Sequence, residues 1–163
     1  MKRALAVSNI LSWVNLVIGS FFALCALLTI IALPPIAVLI SVVLIGCVVL
    51  HSYAALQLRK SIINPVIQLN KQTPVGIRMM GYMALFFAIM LFTNAIYMLQ
   101  STKELLKQMQ LPPQLKEKDF INIVHGTAVF ILLFSLSVIF NVGLNFRLLR
   151  WFTISQNNTE NPQ

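Results

Sequence analysis

The chain has 163 residues, 58% of them apolar and only 10% charged, with a mean hydropathy of +0.84. A soluble domain of that length carries about a quarter charged residues, so this composition excludes a globule that covers itself with polar surface in water. The net charge of +8 therefore has to be read by position.

From Ala4 to Leu58 there is no Asp, Glu, Lys or Arg, a run of 55 residues. Met79 to Thr102 is a second such run of 24, and Phe120 to Phe146 a third of 27. About 20 apolar residues cross a bilayer's hydrocarbon as a helix. The first run thus holds two spans with Pro34-Pro35 at the turn, and the later runs hold one each. The segment 37–45 (AVLISVVLI) does not alternate apolar and polar residues, which rules out barrel strands. The expected fold is an all-α, four-span transmembrane helix bundle of two up-down hairpins, with spans over 12–33, 36–58, 79–99 and 123–146.

The opening Met1-Lys2-Arg3 imitates a secretory leader. The apolar stretch behind it is too long for one and no small-x-small cleavage site follows, so it reads as an anchored first span. Trp13 marks the interface, which makes 4–11 an interfacial lead-in. Tyr82 and Tyr97 bracket the third span as an aromatic belt. The outer connection after it carries Leu105, Leu106, Met109 and Leu111 at helical spacing until Pro112-Pro113. This is the pattern of span three continuing outward and lying back on the membrane. The polar stretch 157–163 reads as a short tail. Both outer connections hold a Pro-Pro pair, and spans two and four end alike. The two matches are offset differently, by 78 and 88 residues, so a true repeat is not implied.

Cations near span ends mark the cytoplasmic side. With the N-terminus inside, that side holds eight: Lys2, Arg3, Arg59, Lys60, Lys71, Arg78, Arg147 and Arg150. The outer side holds four, Lys103, Lys107, Lys116 and Lys118, interleaved with Glu104, Glu117 and Asp119. Both termini are therefore expected inside, in a cytoplasmic membrane. Arg59, Lys60, Lys71 and Arg78 form a loop without acid that should attract anionic headgroups at about 1 kcal/mol per cation. Nucleic acid is not an expected partner, because the basic residues are spread over three short segments.

Helices in lipid associate through small residues and interhelical hydrogen bonds. Ser8, Ser12, Asn15, Gly19, Ala23 and Ala26 stripe the first helix. Gly81, Ala84, Ala88 and Ala95 stripe the third, and Ser137, Asn141 and Asn145 the fourth. Gly19, Gly81, Ala84 and Ala88 are the expected packing seam. A polar group formed by Asn15, His51, Ser52 and Asn141 is the candidate pocket, the alternative being ordinary interhelical glue. A neutral His51 could donate through one nitrogen and accept through the other, as a neutral polar ligand needs.

No cofactor, metal or catalytic residue is nominated. His51 and His125 fall at depths too different to share one metal ion, and the spans hold no carboxylate to complete a site. Cys25 and Cys47 are too far apart in depth for a disulfide and read as small core residues. Intramembrane charges, which mark pumps and proton relays, are absent from the spans. The leading expectation is a non-catalytic accessory or regulatory subunit acting by helix–helix contact. Its partner is another membrane protein or a second copy of itself. An oligomeric channel or carrier for a small neutral or lipid-like solute comes next, and an enzyme on a membrane-dissolved substrate third.

The orientation is testable in a chain whose Cys25 and Cys47 are replaced by alanine. Gln114→Cys should react with a membrane-impermeant thiol reagent added outside intact cells, and Gln68→Cys should not. The opposite pattern inverts the topology.

Overall fold

The computed structural model describes residues 2–32, 36–64, 66–67, 69–70, 72–108 and 116–160. Among these residues every regular element is an α-helix: α1 (Lys2–Ala32), α2 (Ile36–Ile63), α3 (Thr73–Gln100), α4 (Thr102–Gln108) and α5 (Glu117–Glu160). All but α4 are long and apolar enough to cross a membrane. The chain is an all-α bundle of four such helices.

The helices outrun the apolar spans at most ends. A helix satisfies its own backbone hydrogen bonds in hydrocarbon and in water alike, so leaving the bilayer gives it no reason to stop. The segment 4–11 is helical and continuous with the first span: α1 runs unbroken past Trp13. Residues 157–160 likewise continue α5. Punctuation occurs where the sequence changes chemistry. Asn64, which precedes Pro65 and is thereby disfavoured as helix, closes α2 with its N–H on the Lys60 carbonyl at 2.9 Å. The Asn70 side chain accepts the Gln72 N–H at 3.0 Å, and Pro74 occupies the first turn of α3. After a break at Ser101, Thr102 is buried at the head of α4, its hydroxyl on the Met98 carbonyl at 2.6 Å. The expected outward extension is thus a separate short helix, and it packs against α5. The turns expected at Pro34-Pro35 and Pro112-Pro113, together with Pro65, Lys71, Met109, Leu111 and 161–163, lie outside the described residues.

The spanning helices form a closed ring: α1 packs on α2, α2 on α3, α3 on α5 and α5 back on α1. The α1–α2 and α3–α5 pairs are the most extensive, the two up-down hairpins. Their antiparallel order brings Lys2, Arg3, Arg59, Lys60, Arg78, Arg147 and Arg150 toward one end of the bundle. The interior divides into two apolar clusters. Val48, Ala84, Ala88, Phe134, Val138 and Val142 fill the middle. Leu58, Ile77, Leu148 and Leu149 fill the cation-rich end.

Small residues set the helix distances. Gly81, Ala84, Ala88 and Ala95 are all buried along one side of α3, and Gly19 is buried on α1. A Cβ on Gly81 would stand 2.6 Å from Phe146 Cε1 and 3.1 Å from His51 Cε1, and one on Gly19 would stand 3.1 Å from Val49 Cγ2. The cysteines depart from expectation: Cys47 is buried, but Cys25 is exposed. Cys25 lies on the outer side of α1 with Phe21, Leu24 and Leu28, and a thiol behaves there as a small hydrophobe. The large apolar side chains left outside, Trp13, Phe86, Leu133 and Phe140 among them, are what a bilayer solvates.

Gly81→Ala should destabilise the bundle by about 1–3 kcal/mol, because the Phe146 ring it displaces is held by its neighbours. Gly143→Ala meets nothing within 4 Å and should be neutral or stabilising by up to about 1 kcal/mol. Unfolding of both variants in mixed micelles measures the difference, and equal stabilities would contradict the tight α3–α5 seam.

Candidate functional site

Among the described residues, most of the polar side chains buried in the bundle fall into two structures. The first joins α1 to α5. Ser8, Ser12 and Asn15 recur every three or four residues and so share one face of α1; Ser137, Asn141 and Asn145 share one face of α5. Those faces meet. Ser8 Oγ donates to Asn145 Oδ1 at 2.6 Å, Ser12 Oγ donates to Asn141 Oδ1 at 3.0 Å and Ser137 Oγ donates to Asn15 Oδ1 at 2.8 Å. Asn145 Nδ2 also donates to Asn141 Oδ1 at 3.0 Å, tying two rungs together along α5. Numbers rise on one helix as they fall on the other, which is the signature of an antiparallel ladder.

The second structure is a layer across α1, α2 and α3. His51 and Ser52 on α2 are each 1% exposed, and Asn15 is fully buried. His51 Nδ1 lies 3.1 Å from the Ile77 carbonyl of α3. A carbonyl can only accept, so Nδ1 carries the proton and, in the neutral ring, Nε2 is left as an acceptor. Among the described residues Nε2 has no partner, nor do Ser52 Oγ and Asn15 Nδ2. The approach of Gly19 to Val48 and Val49 fixes the α1–α2 register. One turn further along each helix, Asn15 and Ser52 stand level. His51 is held from the other side by Phe146, whose ring meets it edge-on at 6.2 Å and is backed by Tyr82 at 5.2 Å. A buried polar atom without a partner costs about 1–3 kcal/mol, so three in one layer are a concentration of unmet hydrogen-bonding capacity.

Of the candidate polar residues, Asn141 belongs to the ladder, where its oxygen accepts twice. Asn15 belongs to both structures, and His51 and Ser52 to the layer alone. One or two turns toward the cation-rich end, Asn9 Oδ1 and Arg59 Nε are also buried without partners among the described residues. Lys60 and Arg78 are exposed. His125 is exposed on α5, remote from the layer. Among the described residues no three His, Cys, Asp or Glu side chains group as a metal site.

Away from the cation-rich end, side chains from the four spanning helices line a partly open cavity of about 150 Å³. Phe22, Ile45, Val48, Phe87, Leu91, Phe130, Ile131 and Phe134 line it, and its wall is entirely carbon. Phe22 bridges α1 to α5 here, its ring 6.1 Å from those of both Phe130 and Phe134. Val48, buried, is one of the lining residues, and none of Asn15, His51 and Ser52 is on the wall.

Sequence reading missed two features. The cavity leaves no trace in a pattern of large apolar residues. Asn94 was overlooked although its phase gives it away: it falls outside the Gly81, Ala84, Ala88, Ala95 stripe of its own helix, and it is exposed.

No protein-family model, no curated protein and no solved structure matches this chain.

Proposed function

We propose that the chain is an accessory or regulatory subunit of a larger membrane assembly, non-catalytic and acting by helix–helix contact through the outer side of α3. The observation that carries this is Asn94. It is exposed on the side of α3 that also presents Met79, Met83, Phe86, Met90 and Tyr97. It stands six residues before the helix end at Gln100, about 9 Å along the axis, inside a charge-free apolar segment. Its neighbour Thr93 satisfies its hydroxyl on its own helix, through the carbonyls of Ile89 at 3.1 Å and Met90 at 2.9 Å. An asparagine amide brings two donors and an acceptor, more than its own helix backbone can absorb, and lipid tails offer nothing. A second membrane helix with a polar group at that depth does. Unbranched methionines around it make an adaptable contact surface.

In this reading the cation-rich end of the bundle faces the cytoplasm, with both termini inside. Lys60 and Arg78 meet anionic headgroups there, and Lys71 is expected to join them. The second reading, a binder or carrier of a small neutral solute, draws on a different feature, the carbon-walled cavity.

Association under mild extraction tests the contact. An interhelical hydrogen bond in lipid contributes about 0.6 kcal/mol on average and about 1.7 at most, roughly a 3-fold to 18-fold change in affinity. Asn94→Leu should weaken the complex by that factor, whether the partner is another protein or a second copy, and Thr93→Val should not. Identical complexes in wild type and Asn94→Leu would remove α3 as the contact.

A further inference from the structure

The cavity of about 150 Å³ takes no part in the contact through Asn94, and its wall, depth and opening each narrow what can occupy it. The wall has no polar atom, so a hydroxyl, an ester or a charge placed inside would lose its hydrogen bonds and gain none. A carbon-lined cavity of this size in another protein takes up benzene, so there is room for about six carbons. The depth is the middle of the bilayer. Leu91 on the wall stands 13 residues after Arg78 and 12 before Lys103, and Phe134 stands 15 after Asp119 and 13 before Arg147. At about 1.5 Å per residue along a helix, this is the plane where the lipid chains of the two leaflets end, about 15 Å from either edge of the hydrocarbon. The opening lies toward lipid. Two turns past the Asn15–Ser137 rung, in the same register, Phe22 of α1 meets Phe130 of α5 with ring centroids 6.1 Å apart. Both rings line the cavity, yet Phe130 is 45% exposed, so one side chain is shared by the cavity wall and the lipid-facing surface. It stands in the α1–α5 seam, the least extensively packed of the four in the ring.

We propose that the cavity is a binding site for the terminal segment of a lipid acyl chain, which enters from the bilayer past Phe130. About six carbons of the chain lie against Phe22, Phe87, Phe134 and Val48, while the ester and headgroup stay at the membrane surface. A free hydrocarbon of the same bulk would also fit these walls. A chain end, however, is already held at this depth by its own headgroup, and such tethering gives it a high effective concentration. No residue on the outer side of α3 is involved, so failure here would leave the contact through Asn94 standing.

Nuclear Overhauser transfer from lipid to protein methyl groups tests this in the purified full chain, deuterated except at its valine methyls and reconstituted in nanodiscs. The lipid is deuterated except at its chain-terminal methyls. Val48, on the wall, and Val142, off it, are each 1% exposed, whereas Val43 on the same helix as Val48 is 62% exposed. Transfer should reach Val48 and Val43 and be absent at Val142. Ile45→Phe, which fills the cavity, should abolish transfer to Val48 and leave Val43 unchanged. Should Ile45→Phe not fold, Leu91→Phe fills the same space from α3. Transfer to Val43 without Val48 in the wild type overturns the proposal, as does equal transfer to Val48 and Val142. Transfer to Val48 that survives cavity filling overturns it as well. A Val48 signal that shifts with added toluene and receives nothing from the chain ends would assign the cavity to a free small solute, again overturning it.

Discussion

Hydrocarbon offers a polar side chain no partner, so each Asn or His buried in this bundle must find one on another helix or go without, whereas a serine can also turn back on its own helix, as Ser135 does to the Leu132 carbonyl at 2.8 Å. The α1–α5 ladder follows from that constraint and closes the ring. α1 and α2 make one hairpin, α3 and α5 the other, and short connections alone would leave their mutual register loose. Ser8, Ser12 and Asn15 set against Asn145, Asn141 and Ser137 fix it, because sliding either helix by one turn would strand donors in a medium that cannot satisfy them. Each rung adds only about 0.6 kcal/mol on average. Its larger effect is on specificity, through the alternatives it makes unfavourable.

With the register fixed, the rest falls into place. The small side chains of α3 come against α5 at the level where Phe146 passes Gly81, and Phe146 in turn braces His51. At the other end α1 and α5 are spaced by phenylalanine rings instead of serines and asparagines, and the cavity opens there. The layer around His51 is where the ladder's hydrogen bonding stops short: Asn15 spends its oxygen on Ser137 and has its amide nitrogen to spare. Polar closure at one level and apolar space at the next give this small bundle an inside with two chemistries.

The charge-free runs made the four helices legible, since only length and apolarity are needed to cross a membrane. The stripes were legible too, because spacing by three and four assigns Ser8, Ser12 and Asn15 to one face. What the sequence could not tell was which stripe meets which, for periodicity orients a helix about its own axis and says nothing of its neighbour. Inside and outside were hardest to separate. In water a thiol among leucines belongs to the core, whereas in lipid both sides of α1 are apolar, so Cys25 and Cys47 look alike and lie on opposite sides. The same ambiguity hid Asn94, and the helix ends ran past the spans because hydropathy reports where oil begins and not where a helix stops.

The arrangement of the bundle depends on the register of α1 against α5. In a chain with Cys25 and Cys47 replaced by alanine, the paired substitution Ser12→Cys with Asn141→Cys should form a disulfide on mild oxidation in native membranes. Their side chains meet at 3.0 Å, so small backbone motions bring the two cysteines into bridging range, with Cα atoms about 4.4–6.8 Å apart. Ser12→Cys with Asn145→Cys, displaced by one turn of about 5.4 Å, should remain reduced. Preferential cross-linking of the displaced pair, or equal cross-linking of both, would contradict the ladder and the bundle built on it.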